Sequence, residues 1–122
     1  MIFDSNILIY ISKNTLKIEN LITNDIKSSI SIISYIEVLG FPFATSEDQL
    51  YMQKICSSCK LIYLSDLIVL ETINLRKQYR IKLPDAIIYA TALIENVPLL
   101  TSNIKDFKLI DGNVKLINPF DL

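Results

Sequence analysis

Short apolar runs rich in Ile, Leu and Val alternate along this chain with longer segments of helical spacing, and that alternation narrows the fold more than any other feature. The runs are residues 1–3, 29–33, 61–64, 98–100 and 114–117. Strands separated by helical stretches pair in parallel, because the intervening helix must cross a face of the sheet before the next strand begins. The expectation is an α/β fold with a central, mainly parallel sheet between helices. Only two Gly and four Pro are available, too few for the tight turns of an all-β sandwich. No repeat, low-complexity tract or linker interrupts the pattern, so residues 1–122 read as a single domain.

The helical segments carry their own start and stop signals. Residues 6–11 follow Asp4 and Ser5, either of which is a cap residue. Residues 16–23 form a short pattern with Leu16, Ile18, Leu21 and Ile22 on one side. Ser34 and Glu37 have capping-box spacing, and Gly40 is a natural helix stop. Ser46 and Gln49 repeat that spacing at the start of a helix running to about Cys59. Residues 65–79 give the longest helix, with Leu67, Ile68, Leu70, Ile73 and Leu75 near three- and four-residue steps. Leu83-Pro84-Asp85 opens a helix whose residues 86–94 are apolar almost all round, so it should be central and buried on most faces. A short turn or helix covers residues 103–107.

The number that most restricts chemistry is zero, the count of His. Ser–His–Asp and Cys–His catalysis, imidazole bases and His-ligated zinc are removed together. Acid–base or metal work falls to Asp and Glu, whose oxygens suit hard cations such as Mg²⁺ or Mn²⁺. Cys56 and Cys59 are the two cysteines; a zinc ribbon needs a second pair, so they read as small apolar-like residues. Twelve Lys and Arg against thirteen Asp and Glu give a net charge of −1, so any polyanion must be held by a local basic patch or by metal. No secretion signal is readable, since Asp4 interrupts the first apolar stretch, and Glu37 interrupts residues 28–45. The location expected is the cytoplasm, with no membrane partner.

Four acids fall at equivalent places. Asp4 follows the first strand, Glu37 follows the second within a first helical turn, Asp85 sits in the first turn of the buried helix, and Asp106 follows the strand at 98–100. In parallel α/β sheets ligands gather beyond the carboxyl ends of the strands, where residues distant in sequence meet. Each acid also has an ordinary structural use: a cap, a capping box, a helix-dipole partner, a turn closer. Several carboxylates around one cavity repel each other, and a divalent metal is the natural neutraliser. Metals of this kind orient water and stabilise charge in phosphoryl displacement.

Four motifs in order extend this. Met1-Ile2-Phe3-Asp4-Ser5-Asn6 resembles the opening of a PIN domain. Ser34-Tyr35-Ile36-Glu37-Val38-Leu39-Gly40 resembles the second motif of that family, and Leu83-Pro84-Asp85-Ala86-Ile87-Ile88-Tyr89-Ala90 the third. Leu100-Thr101-Ser102-Asn103-Ile104-Lys105-Asp106-Phe107 resembles the fourth, and Asn118-Pro119-Phe120 the close of the VapC-type toxins. The resemblance implies a three-layer α/β/α fold and a Mg²⁺- or Mn²⁺-dependent endoribonuclease, the toxin of a toxin–antitoxin pair, leaving 5′-phosphate and 3′-hydroxyl ends. It implies Asp4, Glu37, Asp85 and Asp106 as catalytic residues, with Asp4, Asp85 and Asp106 holding one or two metals. Either Asn103 or Asp106 can complete the cluster, and Asp106 is favoured as the acid. Ser5, Asn6, Thr101 and Asn103 are expected to order the site.

Lys13, Lys82 and Lys105 lie near motif segments as candidate contacts to an RNA backbone. The partners implied are an RNA substrate, a protein antitoxin presenting Arg or Lys to the acidic pocket, and a second copy in a homodimer. The dimer expectation rests on apolar residues expected at the surface, namely Leu50, Tyr51 and Ile55. An aspartyl-nucleophile phosphatase would need Asp where Asn6 stands, and a dinucleotide-binding domain would need a Gly-rich turn after the first strand. The alternative from another class is a non-catalytic PIN-like binding module in which the acids are structural.

Overall fold

The computed structural model describes residues 1–17 and 27–121. Among these residues five short strands pair side by side: β1 (Ile2–Phe3), β2 (Ser29–Ser31), β3 (Lys60–Ile62), β4 (Leu99–Leu100) and β5 (Leu116–Ile117). Their order is β3-β2-β1-β4-β5, and every pair is parallel. The chain moves from β1 outward to β2 and β3, then returns to place β4 on the other side of β1. The switch in strand order therefore lies between β1 and β4, the place where such sheets open a crevice.

Helices α1 (Ser5–Ser12), α2 (Ile32–Leu39), α3 (Ser46–Ser57), α4 (Asp66–Gln78), α5 (Leu83–Glu95) and α6 (Ile104–Phe107) connect the strands. Successive strand side chains point to opposite faces. Ile2 and Leu99 enter one core, with Ile68, Leu75, Ile88, Tyr89 and Phe107 from α4, α5 and α6. Phe3 and Leu100 enter the other, with Ile7, Leu8, Met52 and Ile55 from α1 and α3. A two-residue strand thus contributes to both cores, giving the three-layer α/β/α arrangement. Each such side chain, fully buried, contributes on the order of 1.5–3 kcal/mol.

Several local expectations are corrected. The Ile-rich run at 29–33 is strand only to Ser31, and Ile32 and Ile33 belong to α2. The Ser31 hydroxyl accepts the Ile33 amide at 3.2 Å, and this cap outweighs the β preference of the two Ile. Glu37 consequently lies in the last part of α2, not in a first turn beside Ser34. Helix α3 is capped one residue earlier than expected, by Thr45, whose hydroxyl accepts the Asp48 amide at 3.1 Å. Ile55 is only 4% exposed and packs in the core, so it offers no surface to a partner; Leu50 and Tyr51 are exposed. On α4 only Ile68, Thr72 and Leu75 are buried, whereas Leu67, Leu70 and Ile73 face outward.

The helix expected over residues 16–23 lies, from residue 18 onward, outside the described residues, Ile18, Leu21 and Ile22 included. The C-terminal Asn118-Pro119-Phe120 motif forms a single 3-10 turn over Pro119–Asp121, which brings the Phe120 ring edge-on to Tyr10 of α1 at 5.1 Å. Among the described residues, no helix is long and apolar enough to cross a membrane.

Candidate active site

Parallel register places the first two groups. Ile2 pairs with Leu99 and Phe3 with Leu100, so the next residues, Asp4 and Thr101, stand side by side at the strand ends. Both are buried. The Thr101 hydroxyl donates to Asp4 Oδ2 at 2.7 Å, and its oxygen accepts the Asn103 amide at 2.9 Å. A buried hydroxyl with both functions used is held in one rotamer, and it fixes the carboxylate in turn. Asp4 occupies the cap position of α1, yet its side chain makes no capping bond within that helix. Its carboxylate is directed across the strand-order switch instead.

A second hydroxyl pair works from α1 to α2. Ser5 Oγ donates to Glu37 Oε1 at 2.8 Å and lies 3.1 Å from Ser34 Oγ. Ser34 is fully buried and supports this contact; its resemblance to a capping-box residue concealed that role in the sequence. Asn103 Nδ2 donates to Asp106 Oδ2 at 3.2 Å, so the two candidates for the fourth position act on one another. Asn6 is exposed, has no side-chain hydrogen bond among the described residues, and lines a neighbouring cavity together with Ser5 and Glu37.

Asp85 arrives on the first turn of α5, preceded by Pro84, where proline's missing amide hydrogen costs nothing. Residues Ala86 to Ala92 behind it are buried, so the acid stands on a rigid support. Burial raises the Asp85 carboxyl above its ordinary range, and the charges of Asp4, Asp106 and Glu37 raise it further, against the nearby Lys82. Burial likewise raises Asp4; the Thr101 hydroxyl and the Ser5 amide oppose the shift, and Glu37 adds to it. Four acids from four distant segments therefore share one field. Lys13, Lys82 and Lys105 are all exposed; Lys82 lies just before α5 and Lys105 within α6, whereas Lys13 closes the far end of α1.

The donors are carboxylate oxygens and hydroxyls, the set that suits a hard divalent cation. Asp4 and Asp85 are costly to ionise together without a positive charge between them, so the residues fit such a group. Among the described residues, no three acids form a ready-made ligand cluster. Direct contacts and bridging waters would share the ligation, as they commonly do for Mg²⁺.

A parallel sheet with this strand order, acids at its switch point and the motif order above define an acidic-site α/β domain of one kind. The chain belongs to the PIN domain family, whose model matches residues 1–113. Its architecture is similar to that of a toxin–antitoxin complex chain from Klebsiella pneumoniae, at 31% identity and a TM-score of 0.75, covering 97% of this chain and 96% of that one. It is similar also to chains of VapBC2 from Rickettsia felis bound to a promoter DNA fragment, at 26% identity, a TM-score of 0.81 and coverage of 97% and 98%. VapBC-1 from nontypeable Haemophilus influenzae matches at 26% identity and a TM-score of 0.77, covering 98% and 99%. Comparison with curated proteins finds no match.

Proposed function

We propose that this chain is a VapC-type toxin, a Mg²⁺- or Mn²⁺-dependent endoribonuclease that works in the cytoplasm and is neutralised by a protein antitoxin. The observation that carries the reading is geometric: Asp4 stands at the strand-order switch, bonded to Thr101 of the neighbouring strand, and the adjacent Ser5 holds Glu37 by a hydrogen bond. Asp4, Asp85 and Asp106 would hold the cation, with Glu37 beside them. When bound, the cation supplies charge neutralisation for a phosphodiester and a water made acidic enough to attack it.

The remaining work belongs to the chain. Thr101 keeps Asp4 in one orientation, and Ser5 keeps Glu37 turned toward the site. Glu37, exposed and held by Ser5, would accept a proton from the attacking water. Lys13, Lys82 and Lys105 would meet the backbone phosphates. An Arg or Lys of the antitoxin pairing with Asp4 and Asp85 would replace the cation and silence the site. The exposed apolar side chains of α4, with Leu50, are the basis for a homodimer.

The test is incubation of the purified chain with RNA in Mg²⁺, in Mn²⁺ and in a chelator. Internal cuts bearing 5′-phosphates are expected with either metal and none with the chelator. Absence of cutting, together with a melting temperature unmoved by either metal, would replace this reading with the non-catalytic binding module.

A further inference from the structure

A cavity of about 470 Å³ opens beside the acids, between α1, α2 and α3. Its lining includes Ser5 and Glu37 at the acidic end, Phe41, Phe43 and Tyr51 along its walls, and Lys13. Phe43 packs against the core, but the fold does not require Phe41 or Tyr51. Phe41 is 65% exposed and Tyr51 42%, while the core on this side of the sheet is filled by Phe3, Ile7, Leu8 and Met52. Phe41 meets Phe43 edge to face, with ring centroids 6.2 Å apart, which leaves ring faces free for a third flat group. Gly40 makes the approach possible: a Cβ there would stand 2.7 Å from the Ile36 carbonyl oxygen, so only glycine lets the chain leave α2 this tightly and carry Phe41 over the cavity.

We propose that this cavity binds an unpaired nucleobase of an RNA strand whose backbone crosses the acidic site. The inference rests on the ribonuclease reading for its substrate class. Single-stranded RNA is recognised chiefly by stacking splayed bases on aromatic side chains. The volume is that of a small-molecule site, within the range of about 300–1,000 Å³ typical of ligand pockets. Ser5 and Glu37 belong to both the cavity and the acid cluster, so a nucleotide seated here lies next to the phosphate being cut. Lys13 is the one cation in the lining, against Glu37 and Asp48, so the cavity itself suits a neutral base and Lys13 the adjoining backbone phosphate. Phe41 and Tyr51 would then set which nucleotides flank the cleaved bond.

The chain contains no Trp, so Phe41→Trp introduces a single indole into the cavity. Short single-stranded oligoribonucleotides titrated into this variant with a chelator present should quench its emission saturably, and abasic oligomers of the same length should not. In Mg²⁺ or Mn²⁺, Phe41→Ala should raise KM roughly tenfold, as loss of one stacked base predicts, with kcat little changed. Phe41→Trp should keep the wild-type KM, and Tyr51→Ala should repeat the KM effect. Unquenched emission together with a wild-type KM in Phe41→Ala would overturn the base site and leave the ribonuclease reading standing. Quenching by a peptide of the antitoxin but not by RNA would overturn it too, giving the cavity to the protein partner. If the wild type cuts no RNA, the ribonuclease reading falls, and the emission titration, which needs no cleavage, decides the base site alone.

Discussion

Helices α4 and α5 have the same length, thirteen residues each, and pack against one another. Their aliphatic side chains meet opposite fates. Helix α5 buries every residue from Ala86 to Ala92, while α4 leaves Leu67 and Leu70 62% exposed and Ile73 47% exposed. The difference is position in the layer. Helix α5 lies against the sheet on one side and α4 on the other, so it has no outer face to give to water. Helix α4 is the outer member, and one narrow stripe of Ile68, Thr72 and Leu75 is enough to dock it. Composition follows position: residues 86–94 of α5 are apolar almost all round, whereas α4 carries Asp66, Glu71, Arg76 and Lys77 among its aliphatic residues. The inner helix is also the one that carries a catalytic candidate, because a rigid, fully packed element holds Asp85 in place more accurately than a surface helix would.

The sharpest way to break the comparison is at the head of α5. Asp85→Asn should reduce metal-dependent RNA cleavage by at least about 10³-fold, ~4 kcal/mol in the barrier, while circular dichroism stays that of the wild type. Cleavage at an undiminished rate would show that α5 positions nothing. Next in size is Ile88→Ala, which empties space at a residue 1% exposed between sheet and helix. It should cost ~2–5 kcal/mol in denaturant unfolding. A cost near zero would mean that α5 is not the central support.

The acids give a smaller effect whose sign is fixed by their surroundings. Asp4 and Asp85 both have carboxyls raised above 3.8 in the folded chain. Between the ordinary and the raised values the folded state holds more protons than the unfolded one, so stability falls as pH rises through that window. In a chelator the melting temperature should therefore decline by a few degrees on going from the acid side of the window to neutral pH. Asp85→Asn should flatten that decline and raise the melting temperature at neutral pH. Mg²⁺ should offset the decline in the wild type, because it favours the ionised acids. A melting temperature that rises with pH equally in wild type and Asp85→Asn would contradict the shared field.

Much of this was legible in the residues themselves. The spacing of short apolar runs foretold a parallel sheet, and the nearly all-apolar stretch after Asp85 foretold a buried helix. Hydroxyls foretold less than they do. Ser34 read as a capping residue because Glu37 follows at three positions, but Ser31 caps the helix and Ser34 turns inward beneath Ser5. Which of several nearby Ser residues caps is decided by where the sheet ends, a tertiary fact. The Thr101–Asp4 bond spans 97 residues and depends on β4 lying beside β1, so no local pattern contains it. Residues 65–79 showed the right spacing for a helix, but their outward Leu residues became visible only with α5 in place beneath them. The aromatic cavity was hidden for a related reason: Phe41, Phe43 and Tyr51 come from a connection and a helix that only the folded chain brings together.

The smallest effect on stability should come from the outer helix, and it bears most directly on assembly. Leu70 and Ile88 are both aliphatic residues on neighbouring helices, so matched substitutions isolate the role of layer position. Leu70→Ser removes a side chain already 62% exposed, with little packing to lose, and should change the stability of one chain by no more than about 0.5 kcal/mol. If Leu67, Leu70 and Ile73 instead meet a second copy, the same change places a hydroxyl in an apolar contact and weakens the pair. Light scattering should then give the mass of two chains for the wild type and of one for Leu70→Ser at the same micromolar concentration, with matching melting curves at high dilution. A wild-type mass of one chain, unchanged on concentrating, would refute the dimer. A Leu70→Ser protein that stays dimeric would move the contact off α4, toward the exposed Leu50 on α3.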